Sequence, residues 1–173
     1  MAKDVLAATT YRRVIVFPAL SHRFKGKQVH FLFSALKVAD ILQELLVQPV
    51  PLSPPFLEGI AEWRDRILPV ISLEQRLGLQ VKSLRQPPRS MVVRIAEAGG
   101  GNANGLHGVL RVAPNIQMLS LPIECTPVSR GWMSHEHLIR GVYEWEKGFL
   151  VVVHMENILK GEKLADSQMR ATL

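Results

Sequence analysis

Residues 51–79, PLSPPFLEGIAEWRDRILPVISLEQRLGL, constrain the fold of this 173-residue chain more than any other stretch. Pro54 and Pro55 hold their backbone extended, and Gly59 permits φ values that residues with a Cβ avoid. Segment 60–71 is thereby delivered at a defined angle, and its composition reads as a strand. Along one strand, Trp63, Asp65 and Ile67 share a face, Glu62, Arg64 and Arg66 share the other, and Pro69 forbids one ladder hydrogen bond. Such a strand belongs at an edge or a bulge, where a charged face and unpaired backbone are open to a partner.

The rest of the chain repeats this rhythm of short apolar runs between turn residues. YRRVIVF (11–17) and HFLF (30–33) read as a hairpin with SHRFKGKQ (21–28) as an enlarged loop. Leu36, Ile41, Leu42, Leu45 and Leu46 are spaced as on an amphipathic helix. The polar, proline-bearing VKSLRQPPRS (81–90) suits a connection between subdomains. MVVRI (91–95), LHGVLRV (106–112), IRGV (139–142) and WEKGFLVVV (145–153) are further strands, and the tail 156–170 forms a short helix and then frays. Many short strands without alternating long helices argue for an all-β barrel or sandwich.

The content, 47% hydrophobic and 21% charged, is that of a globular protein. MAKDVLAATT lacks the apolar core of a signal peptide and the run 149–153 is too short to span a bilayer, so a cytoplasmic location without direct membrane insertion is expected. The single cysteine, Cys125, excludes an intrachain disulfide and a multi-cysteine zinc site. No basic neighbour in sequence lowers its pKa, and it reads as a small buried apolar residue rather than a nucleophile. The net charge of +6 is spread over Arg12-Arg13, 23–27 and 82–89 without the aromatic interleaving of a base reader. It suits solvated loops and an acidic protein partner, not nucleic acid. His135, His137 and His154 do not close a metal ligand set, and GGGNANG (99–105) lacks the Gly-Lys-Ser/Thr ending of a phosphate loop. Neither a cofactor nor a catalytic constellation is expected, and the chain does not read as an enzyme.

In residues 57–78, Leu57, Gly59, Ile60, Arg64, Ile67, Pro69, Val70, Leu73, Leu77 and Gly78 match, without a gap, the pattern Ile-x-Gly-Val-x-Asn-Leu-Arg-Gly-x-Ile-x-Pro-Val-x-Asp-Leu-x-x-x-Leu-Gly. That pattern resembles the signature of the CheW family, adaptors that couple chemoreceptors to the histidine kinase CheA in bacterial chemosensory arrays. Leu36, Val38, Asp40 and Ile41 carry a second match, and residues 139–159 a closing one. The chain departs from the pattern at Trp63 (for Leu), Asp65 (for Gly), Ser72, Leu110 and His154 (each for Asp). Over residues 11–160 the resemblance implies a CheW-like domain of two small five-stranded β-barrels sharing a hydrophobic seam. One barrel would be 11–81 plus the C-terminal helix, the other 90–155. It also replaces the helix suggested by spacing with a helical turn at 35–38 and a strand at 40–47.

The implied function is that of a non-enzymatic signalling adaptor in chemotaxis or type IV pilus twitching motility. Its partners would be the regulatory domain of a CheA-like histidine kinase and the cytoplasmic tip of a methyl-accepting chemoreceptor, with recruitment to membrane-associated arrays. The alternative is a CheW-fold module of another signalling assembly that sequesters or inhibits the kinase. Residues placed on partner surfaces are Val38, Asp40, Glu58, Gly59, Trp63, Arg64 and Asp65. Arg64 is either a surface charge paired with Glu62 or Glu58, or a guanidinium presented to a partner's carboxylate or backbone oxygens. Trp63 is core or an interface anchor. Asp65, where the pattern has glycine, either pairs with a neighbouring cation or discriminates between kinases.

Overall fold

The computed structural model describes residues 12–79, 87–95 and 105–160. In chain order its strands are β1 (Arg13–Phe24), β2 (Lys27–Ser34), β3 (Val38–Leu42), β4 (Leu57–Trp63), β5 (Arg66–Ser72), β6 (Arg89–Ile95), β7 (Leu106–Val112), β8 (Gln117–Ser120), β9 (Thr126–Val128), β10 (Ile139–Trp145) and β11 (Gly148–Val153). Helices α1 (Leu73–Arg76) and α2 (Met155–Lys160) and the 3-10 turns Ala35–Lys37 and Glu136–Leu138 are all short. The chain is mostly β.

Two sheets form, one of six strands in the order β8-β1-β2-β11-β10-β9, the other of five in the order β3-β6-β7-β5-β4. The ladders are antiparallel except β2–β11 and β5–β7. Limits expected near residues 81 and 90 are not sheet limits. The first sheet takes its strands from 13–34 and 117–153, and the second from 38–112.

Alternation along each strand explains the continuous apolar runs, because the central strands are buried on both faces. Ile15 and Phe17 on β1, Phe31 and Phe33 on β2, and Val151 and Val153 on β11 face a core shared with Ile71, Met91, Val93, Leu110 and Val112 of the second sheet. Val14 and Val16 turn the other way, to Trp145 and Leu150. Leu68, Val70, Val92 and Val109 do the same on the second sheet. This shared core is the expected seam. Leu73 of α1, Leu77 at its C-terminal end, and Met155 and Ile158 of α2 also pack in it.

The barrels are not closed by ladders. Among the described residues β3 and β4 remain the two edges of the second sheet, yet the sheet curls until they approach each other. An isolated bridge ties the chain that follows β3 to β4: Gln48 N–H donates to Ile60 O at 2.8 Å, and Ile60 N–H donates to Gln48 O at 2.9 Å. The strand expected at 40–47 starts earlier and ends at Leu42, because β3 pairs with β6 while Gln48 sits on β4, so the residues between them must leave the ladder to cross.

Two hairpins also differ from expectation. Segment 60–71 is not one strand but β4 and β5 turning at Arg64 and Asp65, with φ of 47° and 60°. Both values fit the left-handed conformations of a two-residue hairpin turn. Trp63 consequently faces the same side as its partner Arg66, and Glu62 the same side as Ile67. Likewise residues 21–28 are no enlarged loop: β1 and β2 run to a turn at Lys25 and Gly26, with φ of 49° and 76°. The Ile60 backbone faces Gln48, so the missing N–H of its partner Pro69 lies on the β7 side, where pairing begins only at Val70. The edge strand is β4, not the proline-bearing β5. β6 and β7 form a hairpin, and residues 96–104 between them lie outside the described residues, as does most of 81–90.

Candidate partner-binding surface

The turn at residues 64–65 puts Arg64 beside β3 across the mouth of the curled sheet. Trp63 Nε1–H donates to Asp40 Oδ2 at 3.2 Å, and Arg64 Nη2 lies 3.6 Å from the same oxygen. The Arg64 guanidinium also sits 4.6 Å from the Trp63 ring centroid. Asp40, Trp63 and Arg64 are therefore one cluster. The pairing of Arg64 with Glu62 or Glu58 does not form. Asp40 holds the guanidinium's direction while leaving it 70% exposed, so its remaining donors point to solvent.

Trp63 is both core and surface. Its ring packs on the second sheet's inner cluster, half-buried, and its rim approaches the His107 ring at 6.2 Å. Asp65 is exposed and makes no ion pair with a described residue. Gly59 is fixed by backbone: its φ is +154°, and a Cβ there would overlap the Gln48 carbonyl oxygen. Its role is to let the Gln48–Ile60 bridge close. Glu58 points elsewhere, with Oε2 3.2 Å from Arg111 Nε. Burial raises its pKa, while Arg111 pulls it down. Val38 is partly buried against the shared core. The expected site residues thus separate into an exposed cluster (Asp40, Trp63, Arg64, Asp65) and supports (Val38, Glu58, Gly59).

On the other face of the same hairpin, large apolar side chains that sequence reading did not single out as contacts are exposed. Leu46 is 81% and Ile67 64% exposed, flanking a recess with Ile60 and Glu62. Ile67 lies on the face of β5 that Ile71, four residues on, carries into the shared core. Ile41 and Met118 expose a second apolar groove between the two sheets, whose single charged lining residue is Arg89. Apolar exposure beside a held charge is the makeup of a protein contact surface.

Each remaining departure from the signature has a local reason. Ser72 caps α1 by accepting from Gln75 N–H, a task serine and aspartate share. Leu110 is fully buried in the shared core, where an aspartate would need a partner. His154 precedes α2, its carbonyl accepts from Ile158 N–H, and its Nδ1 accepts from Arg140 Nε at 3.3 Å. His135 and His137 lie 6.0 Å apart, and among the described residues no three His, Cys, Asp or Glu converge as a metal set. Cys125 corrects an expectation: it is exposed beside β9, because β9 is a sheet edge.

Glu74 went unnoticed. In sequence it reads as a solvated acid at a helix start, but it is fully buried in the seam. Leu20 N–H of β1 donates to one oxygen at 3.0 Å, and no described residue bonds the other. Burial, reinforced by the nearby Glu58 charge, pushes its pKa up to about 7.

No helix among the described residues is long and apolar enough to cross a membrane. Comparison with curated protein sequences gives no match. A solved structure, that of the scaffolding protein TtCheW from Thermoanaerobacter tengcongensis, superposes with a TM-score of 0.60 at 18% identity, covering 88% of this chain and 94% of that one. The family model of the CheW-like domain matches residues 21–163. With most of its length so matched and its two sheets sharing one seam, the chain belongs to the CheW-like domain family.

Proposed function

We propose that this chain is a non-enzymatic coupling adaptor that joins the regulatory domain of a CheA-like histidine kinase to the cytoplasmic tip of a methyl-accepting chemoreceptor, in a chemotaxis or pilus-motility system. The observation that carries the reading is the Asp40–Trp63–Arg64 cluster, a guanidinium oriented on a hairpin turn whose other face exposes Ile67. Membership of the CheW-like family and the likeness to a scaffolding protein support it. The mechanism is geometric. The exposed edge strand β4 and the cluster meet the kinase, while the groove at Ile41 and Met118 meets the receptor's helical tip. Kinase control then follows from differing affinity for the receptor's two states. Such an adaptor works in the cytoplasm, held at membrane arrays by its receptor.

Reconstitution tests this. The chain, a CheA-like kinase from the same cell and a soluble receptor fragment should co-sediment as a ternary complex, with kinase activity changed only when all three are present. A complex lacking either partner at micromolar concentration would reject the coupling role.

A further inference from the structure

Arg12, Arg13, Lys37 and Arg140 come from the start of β1, the 3-10 turn after β2, and β10, yet they rim one pocket at the end of the first sheet. Its floor is apolar and half-buried, with Leu121 and Val152 among its residues, and its volume is about 220 Å³. Among the described residues no carboxylate lines it. The one counter-ion of these four cations among the described residues is Glu156, 3.9 Å from Lys37 Nζ. Arg12, Arg13 and Arg140 make no ion pair with a described residue. Arg13 instead donates to Met118 Sδ at 3.9 Å and Arg140 to His154 Nδ1 at 3.3 Å.

Three guanidiniums without a counter-ion among the described residues, and a lysine, gathered round an apolar recess repel one another, and an anionic ligand relieves that repulsion. Small-molecule sites usually hold about 300–1,000 Å³, so this recess fits a side chain better than a free metabolite. Its apolar residues are buried or half-buried while the three arginines are exposed, which suits a peptide better than a bilayer. We propose that this pocket docks an acidic segment of a partner protein, whose apolar side chain seats on the Leu121–Val152 floor while flanking carboxylates meet the four cations. The assignment does not rest on the kinase or receptor reading, and its fork-shaped donors favour carboxylates in fixed geometry.

The test is a titration of the isotopically labelled full chain, followed by amide resonances, with a capped pentapeptide bearing phenylalanine between two pairs of glutamates. Saturable shifts at Ser34, Leu121 and Val152 are expected, absent with the lysine version of the peptide and abolished near about 1 M salt, where the screening length is about 3 Å. Arg13→Glu combined with Arg140→Glu, both exposed, should leave the remaining spectrum intact and weaken binding at least about tenfold, since like charges then face each other. Arg13→Gln with Arg140→Gln, which removes charge without reversing it, should weaken binding by less. Equal shifts from the lysine peptide, or no shift at millimolar peptide, would overturn the proposal. So would phosphatidylglycerol vesicles perturbing these residues where the acidic peptide does not.

Discussion

Glu74 makes stability depend on pH in a direction opposite to that of most carboxylates. Its side chain is fully buried, takes a hydrogen bond from Leu20 N–H, and holds its proton to about pH 7 in the folded chain against about 4.5 for the free group. Between those values the folded state carries a proton that the unfolded state has released, so stability falls as pH rises. At 1.36 kcal/mol for each unit, the loss across the window is about 3 kcal/mol, fully absent below pH 4.5 and complete once pH passes the folded value. Glu74→Gln keeps an oxygen for Leu20 and cannot ionise. It leaves an amide where Oε2 has no partner, a cost that is constant with pH. Urea titrations of both proteins from pH 4 to 8 read the stability difference, which should shift towards the variant by about 3 kcal/mol across that range with equal m-values. A difference that stays flat with pH would refute the buried, weakly partnered carboxyl.

Three further outcomes follow from the geometry. Gly59→Ala should destabilise by about 3 kcal/mol or more, combining overpacking against the Gln48 carbonyl with loss of two bridge hydrogen bonds, and amide exchange should accelerate at Gln48 and Ile60 first. Asp65→Gly should raise Tm by about 2–4 °C by relieving a left-handed φ of 60° worth about 1 kcal/mol; an unchanged Tm in calorimetry would mean the turn is unstrained. Cys125, exposed beside an edge strand, should react with one equivalent of a thiol reagent in the native state without loss of the folded circular dichroism spectrum; burial would instead demand denaturant.

The apolar runs announced the strands because the central ones are buried on both faces, leaving sequences such as FLVVV with no polar alternation to misread. The turn at Arg64 and Asp65 was hidden for the converse reason: neither residue is a glycine or asparagine, and only the pairing of Trp63 with Arg66 fixes it. β8 and β9 escaped notice because QMLS and TPV are short, mostly exposed edge segments with little apolar patterning. Arg64 and Asp40 were each legible as surface residues, but their meeting depends on a curl that brings opposite edges of one sheet together. Glu74 and the Arg12–Arg140 pocket depend on contacts 54 residues apart in one case and on three separate elements in the other.

The central proposal is that the hairpin cluster is the kinase-binding surface, and calorimetric titration of the regulatory domain of a CheA-like kinase from the same cell into Arg64→Ala and unaltered protein tests it most directly. Arg64 is 70% exposed, so its removal should change folding stability by less than about 1 kcal/mol, visible as an unshifted urea midpoint. A guanidinium desolvated in the complex is worth about 2–5 kcal/mol, so the variant should bind at least about tenfold more weakly with unchanged stoichiometry. Equal affinity for the two proteins, or no heat of binding from the unaltered chain, would contradict the account.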